Sequence, residues 1–276
     1  MGDGKKYSFS NIFTASELQP QEEVLAVMRR RKKLFIGIPK ENSFQENRVA
    51  LVPSSISSLI GQGHRVVVER GAGERSNYPD NEYSEAGADI ADDKQQVFEA
   101  DVIMKVAPPT LAEMDYFKPN QIIISPLHLP TVSGEYINKL KQKRVIALAW
   151  EYIKDQVGSF PIVRIISEMA GTTAMLTAAE LMSNSSGGQG VLLGGVTGVP
   201  PSKVVILGAG VVAEYATRTA LGLGADVRIF DNNIHKMMRL QHSLGCRLYT
   251  STLNHTILEK ELKDAKKLKF STVNPP

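Results

Sequence analysis

Short apolar runs of strand length, alternating with helical patterns, predict an α/β protein of two domains, each built on a mainly parallel sheet. Three observations carry this. The runs at 34–38, 65–69, 101–106, 121–125 and 145–150 are apolar on successive residues, as strands covered on both faces are. Helical patterns at 54–61, 83–87 and 135–142 fall between them. A second series then opens at 203–207 with a strand that runs directly into a glycine turn. A length of 276 residues suits two domains.

Residues 1–33 read as a polar, basic extension. Ser16 is placed to cap a helix in which Val24, Leu25 and Met28 share one face. The first domain is expected over 34–163. Its opening strand is followed by a loop over 39–48 and a helix at 54–61, and the Gly61-Gln62-Gly63 turn leads into the strand at 65–69. Glycine and proline mark 71–79 as loop before the short helix at 83–87. The strand at 101–106 stops at Pro108-Pro109, and the one at 121–125 is closed by Pro126. A helix at 135–142 and a strand at 145–150 complete the series. Residues 164–181, rich in Ala, Met and Ile, read as a long helix bridging to a second domain over 164–276. The glycine-rich loop at 187–198 bends sharply or touches a neighbour closely.

Composition removes several classes of function. The net charge is only +3, and much of the positive excess lies in Arg29-Arg30-Arg31-Lys32-Lys33, so there is no broad basic face for nucleic acid. No apolar run approaches the roughly 20 residues of a membrane-spanning helix. The first thirty residues lack the apolar core of a signal peptide, and Asp3, Glu17, Glu22 and Glu23 argue against a transit sequence. The single Cys246 forms no internal disulfide and has no neighbouring cysteines for a metal site, which fits a reducing cytoplasm.

Lys203-Val204-Val205-Ile206-Leu207 runs into Gly208-Ala209-Gly210-Val211-Val212-Ala213; a helical pattern follows to Gly222, and a second strand at 226–230 ends at Asp231. Each part has a physical task. Gly208 allows the tight strand-to-helix turn, Gly210 lets backbone approach a pyrophosphate, and Ala213 still permits close helix-to-strand packing. The helix N-terminus offers free N–H groups and a positive dipole end to phosphates. Asp231, 21 residues beyond Gly210, is placed to accept hydrogen bonds from the adenosine ribose hydroxyls. Strand, turn, helix, strand and acid in this order specify a Rossmann-like dinucleotide site. The carboxylate repels a 2′-phosphate, and Asn232 and Asn233 follow where an arginine would favour one, so the cofactor expected is NAD.

A dehydrogenase acting on a small acid needs a cation for the carboxylate and a group that exchanges a proton at the reacting centre. Arginine suits the first task through its planar fork, and histidine the second because it titrates near neutral pH. Arg48 lies in the loop after the first strand, Lys105 interrupts the apolar run at 102–106, and His128 follows the strand at 121–125. Ligands bind in α/β proteins at the carboxyl ends of parallel strands. Plain structural roles are open to each: Arg48 as a solvated loop charge, Lys105 as an edge-strand lysine that discourages pairing, His128 as a structural histidine. His64, His235, His242 and His255 read as surface residues.

Several separate motifs agree in order and spacing with a known family. Gly37-Ile38-Pro39-Lys40-Glu41, Glu46-Asn47-Arg48-Val49-Ala50-Leu51 and Arg70-Gly71-Ala72-Gly73-Glu74 resemble the amino-terminal domain of alanine dehydrogenases, a domain that also occurs in the alpha subunit of proton-translocating transhydrogenases. Met104-Lys105-Val106, Leu127-His128-Leu129, Ser167-Glu168-Met169-Ala170-Gly171 and Gly194-Gly195-Val196-Thr197-Gly198-Val199 extend the resemblance over roughly 34–265. It implies that Arg48 and Lys105 hold the carboxylate of alanine or pyruvate and that His128 transfers the proton. It implies nucleotide contacts from Ser167, Asp231 and Lys236, beside the turn of Gly208, Ala209, Gly210, Val211 and Val212. The implied reaction is reversible oxidative deamination of L-alanine to pyruvate and ammonia with NAD, in a homo-oligomer (a hexamer in the family).

A six-stranded dinucleotide sheet should continue for about three strands beyond the segment at 246–250. The chain instead runs through Lys266-Lys267-Leu268-Lys269-Phe270 to Pro275-Pro276. The second domain is therefore expected to be incomplete and the chain a truncated form. The strand at 204–207 is expected to lack a neighbour on one side, leaving the chain inactive and poorly soluble alone. A transhydrogenase alpha-type subunit and a non-catalytic NAD-binding protein are the alternatives.

Overall fold

A computed structural model describes residues 33–43, 46–264 and 269–271. The amino-terminal helix expected after Ser16 and nearly all of the basic run lie outside the described residues. The described residues fall into two compact units, one drawn from 1–124 and 139–147, the other from 125–138 and 148–276. Among the described residues no helix is long and apolar enough to cross a membrane.

The first sheet contains β1 (Phe35–Ile38), β2 (Arg65–Glu69), β3 (Asp89–Ala91), β4 (Val102–Met104), β5 (Ile122–Ser125) and β6 (Ile146–Ala149), in the order β3-β2-β1-β4-β5-β6. The pairs β1/β2, β1/β4, β2/β3 and β4/β5 are parallel. Helices α1 (Pro53–Gly61), α2 (Asp80–Glu85), α3 (Lys94–Val97) and α4 (Gly134–Lys143) connect them. Pro53 opens α1 where its missing N–H costs nothing. Ile36, Ile38, Ile56, Val66, Val68 and Tyr83 are buried in one cluster. The strand order reverses between β1 and β4, so the loops leaving them diverge and open a crevice at their carboxyl ends.

The second sheet holds β7 (Lys203–Leu207), β8 (Asp226–Phe230), β9 (Tyr249–Ser251) and β10 (Lys269–Ser271), in the order β10-β7-β8-β9 and parallel throughout. Its helices are α5 (Pro161–Met182), α6 (Val211–Gly222), α7 (Ile234–Leu244) and α8 (His255–Asp264). Val204, Ile206, Ala213, Ala216 and Ile229 pack with Met175 of α5 into one core. The long helix α5 lies within this unit, against α6. Gly171 makes the approach possible: a Cβ there would sit 2.3 Å from the Val212 carbonyl oxygen and 2.9 Å from the Ala216 nitrogen.

The structure departs from the sequence reading at three places. β7 does not lack its second neighbour, because β10 pairs with it from Lys269 opposite Val205 to Ser271 opposite Leu207. The lysine-rich character of that segment hid a strand, since pairing needs only backbone groups. The edge strand β3 and the short α3 were not read as elements; Asp93 caps α3 by accepting from the Gln95 amide at 3.0 Å. β4 ends at Met104, two residues before the end of the run read as strand, although the Lys105 amide still donates to the Ile124 carbonyl at 2.9 Å.

Candidate active site and dinucleotide turn

The chain turns at Gly208 with φ of 106°, a conformation side chains disfavour, and its N–H donates to the Phe230 carbonyl at 2.7 Å. Gly210 is the N-cap of α6 and makes no side-chain cap bond. The amides of the first turn, at Val211 and Val212, thus form an anion-binding helix end. Ala213 is fully buried against β7, in the packing role expected of it. Asp231 leaves the end of β8 and ties the turn together: its Oδ2 accepts from the Ala209 amide at 2.7 Å, and its Oδ1 from the Asn233 amide at 2.6 Å. A carboxylate has about four acceptor sites, so lone pairs remain for ribose hydroxyls. Asn233 caps α7 by accepting from the Lys236 amide at 3.1 Å, which sets Lys236 in the first turn beyond Asp231. These features fit a dinucleotide, with the glycine turn facing the pyrophosphate and Asp231 the ribose.

In the same unit, His128 and Ser167 line one cleft of about 350 Å³, with Trp150, Glu151, Tyr152 and Ile166. His128 is exposed and stands three residues past β5. Its carbonyl accepts from the amide and hydroxyl of Thr131, at 2.8 and 3.0 Å, closing a turn. Ser167 projects from α5, the helix that Pro161 initiates at its first position. The cleft thus joins the two residues that the sequence reading singled out for proton exchange and for nucleotide contact.

In the first unit, the segments leaving β1 and β4 bring charged residues into a buried cluster. Lys105, just past β4, is only 1% exposed, and its Nζ lies 2.9 Å from Glu41 Oε2 and 3.2 Å from Glu113 Oε1. Glu41, in the loop after β1, also accepts from the Val106 amide at 2.6 Å. Glu113 accepts from Lys94 at 3.1 Å and from the Thr110 amide at 2.8 Å. Burial pushes the Glu113 carboxyl up, but Lys105, the Thr110 amide and Lys94 outweigh it and hold it below the usual carboxylate range. Arg48 is half exposed and grips Glu46 with Nε at 2.8 Å and Nη2 at 2.7 Å. That pairing lowers the Glu46 carboxyl and raises the Arg48 guanidinium. A guanidinium carries five N–H donors, so Arg48 retains donors for another carboxylate.

The reading of Lys105 as an edge-strand lysine does not hold, because β4 lies between β1 and β5 and the side chain is buried. His64, read as a surface residue, is half-buried and accepts from the Leu34 amide at 3.2 Å through Nδ1. Sequence reasoning passed over Glu41 and Glu113 as partners of Lys105, and over Glu151. The only signal for Glu41 was its place in the loop at the carboxyl end of β1. The others meet their partners across distances in sequence that no local pattern records. Among the described residues no group of His, Cys, Asp and Glu is arranged to hold a metal ion.

Comparison with known proteins agrees with this geometry. A family model described as alanine dehydrogenase/PNT, N-terminal domain, matches residues 37–170, and its C-terminal counterpart matches residues 174–273. An alanine dehydrogenase of Bacillus subtilis is 41% identical over 221 residues, which are 80% of this chain and 58% of that protein. One of Staphylococcus saprophyticus is 38% identical over 232 residues, 84% of this chain and 62% of its own length. Of solved structures, an L-alanine dehydrogenase superposes with a TM-score of 0.76 at 36% identity, covering 84% of this chain and 64% of the other. A transhydrogenase from Sinorhizobium meliloti superposes with a TM-score of 0.71 at 27% identity, covering 84% and 67%. The chain spans about three fifths of the length of the curated relatives it matches.

Proposed function

The chain belongs to the alanine dehydrogenase/PNT family, and we propose that it serves an NAD-dependent oxidoreductase that interconverts L-alanine with pyruvate and ammonia. The observation that carries this reading is the cleft in which His128 and Ser167 stand together, in the unit that also carries the dinucleotide turn. His128 gives or takes the proton at the reacting carbon substituent, the task for which an imidazole is suited. Arg48 receives the substrate carboxylate with donors that Glu46 leaves open. Lys105 has two of its three N–H donors on Glu41 and Glu113 and offers the third; at 1% exposure it reaches substrate only if the loop carrying Glu41 gives way.

Bound NAD supplies the hydride acceptor. Val211 and Val212 amides face its pyrophosphate, Asp231 its ribose, and Ser167 and Lys236 flank it. The Asp231 charge, with no arginine in the two residues that follow, favours NAD over NADP. Higher identity to alanine dehydrogenases than to the transhydrogenase, together with Arg48, Lys105 and His128, supports the dehydrogenase over the transhydrogenase reading. We further propose a cytoplasmic homo-oligomer, supported by the unpaired Cys246 and by Ile165, Met169 and Leu176, apolar residues left exposed along α5.

Trp150, the single tryptophan, lines the cleft and reports on it. Its fluorescence should be quenched by NADH at concentrations at least about tenfold lower than by NADPH, and L-alanine with NAD should yield NADH. Equal affinities remove the cofactor assignment. NADH binding without alanine-dependent turnover removes the dehydrogenase and leaves a nucleotide-binding protein.

A further inference from the structure

Glu151 stands in the single 3-10 turn Trp150–Tyr152 that follows β6, and no sequence motif singles it out. Its Oε1 accepts the backbone N–H of Leu127 at 2.8 Å and that of His128 at 2.9 Å. Its Oε2 is buried and has no hydrogen-bond partner among the described residues. His128 itself holds a φ of 48°, a left-handed conformation that few residues other than glycine adopt, histidine more readily than most. A turn of this kind persists when its surroundings hold it in place. Here the holding group is one carboxylate oxygen that grips two successive amides through charge-assisted bonds.

Two consequences follow from this geometry. Fixing the peptide planes on both sides of Leu127 fixes the direction in which the His128 side chain leaves the backbone. The imidazole also hangs from the residue whose amide the carboxylate grips, so covalent geometry keeps the two groups within about 8 Å of each other. Apart from His128, the ionisable residues lining the cleft are Glu151 and Tyr152.

We infer that Glu151 is a positioning residue for His128: it clamps the turn that aims the imidazole. The catalytic meaning of this assignment rests on the proton-transfer role proposed for His128, whereas the clamp does not.

Two variants separate reach from charge. Glu151→Gln keeps an acceptor oxygen at the same reach and removes the charge. Glu151→Asp keeps the charge and withdraws the oxygen by one methylene. The readouts are amide hydrogen exchange at Leu127 and His128, and the NMR signals of the five histidine imidazoles. In Glu151→Asp both amides should exchange roughly tenfold faster or more, and the His128 ring signals should move while those of the other histidines stay in place. In Glu151→Gln the protection of both amides should persist. Unchanged exchange in Glu151→Asp, or protection lost as fully in Glu151→Gln as in Glu151→Asp, overturns the clamp. If the aspartate variant loses protection throughout its unit, the glutamine variant decides: exposed Leu127 and His128 amides in an otherwise protected unit overturn the clamp, and retained protection supports it. Neither measurement needs turnover, so a failure of alanine-dependent NADH formation would be told apart from a failure of this inference.

Discussion

Replacing Glu113 by glutamine removes one negative charge from a buried cluster while keeping the shape of the side chain. Glu113 is 3% exposed and stands between two ammonium groups, Lys105 at 3.2 Å and Lys94 at 3.1 Å. In Glu113→Gln, Lys105 keeps Glu41 at 2.9 Å, and Lys94 keeps Glu69 only at 3.8 Å. The new amide must also turn its NH₂ toward either the lysines or the Thr110 amide, and both of those are donors. Removing one partner of a buried ion pair costs about 3–5 kcal/mol, set against a total of about 5–15 kcal/mol for a domain. With a urea dependence of about 1–3 kcal/mol per molar, the midpoint for the first unit should fall by about 1 M or more. Two units need not unfold together, so the assay is hydrogen exchange in urea, read on peptides covering β1 and β4.

The effect has a definite sign in pH. The folded carboxyl of Glu113 is held below its ordinary value of 4.5, so its stabilisation is fully present above that value. It is lost as pH falls through the folded pKa. Wild type and Glu113→Gln should therefore differ most near neutrality and converge in acid. Equal midpoints at neutral pH, or a gap that stays constant into the acid range, would refute the reasoning.

Three further outcomes are expected. Asp231→Ser should release the turn at Ala209 and reduce the preference for NADH over NADPH by about tenfold or more in Trp150 quenching; an unchanged preference would detach Asp231 from cofactor choice. Gly171→Val should force α5 and α6 apart and lower the melting temperature, by an overpacking cost of about 1–3 kcal/mol; an unaltered melt would mean the helices yield freely. In the active enzyme, Arg48→Ala should raise the KM for pyruvate with kcat little changed, while His128→Ala should lower kcat about 10²–10⁴-fold. Near-normal turnover without His128 would end its assignment.

What could be read from the chain alone was what the chain encodes locally. β1, β2 and β7 appeared as short apolar runs because parallel strands covered on both faces need no alternation. The glycine turn and Asp231 were legible because a nucleotide turn is one contiguous device. β3 and β10, three residues each, were too short to show a pattern, and the lysines around β10 masked it further. Lys105 shows the limit most clearly. A lysine in an apolar strand suggested either an exposed edge or a ligand, and the fold supplied a third state, a buried cation shared by Glu41 and Glu113. Glu41 lies 64 residues away and is brought there by the pairing of β1 with β4, whereas Glu113, 8 residues on, is brought back by the loop that leaves β4. Glu151, 23 residues beyond His128, was hidden for the same reason.

The two sheets apply one topological rule to different chemistry. In each, the strand order reverses beside the first strand of the unit, between β1 and β4 and between β7 and β10, and the loops at the carboxyl ends part there. At the first opening the chain places full charges, with Glu41 after β1 and Lys105 after β4, and buries them as pairs. At the second it places backbone, a glycine turn and an uncapped helix end that present N–H groups without side chains. Paired side-chain charges discriminate among small ionic groups, because binding one means competing with a partner already in place. Open backbone amides accept any phosphate of the right shape, and under the function proposed above Asp231 then chooses between nucleotides. On that proposal, substitutions around Lys105 should change which small acid is accepted, whereas Gly208, at a φ of 106°, tolerates little but glycine and leaves cofactor choice to Asp231.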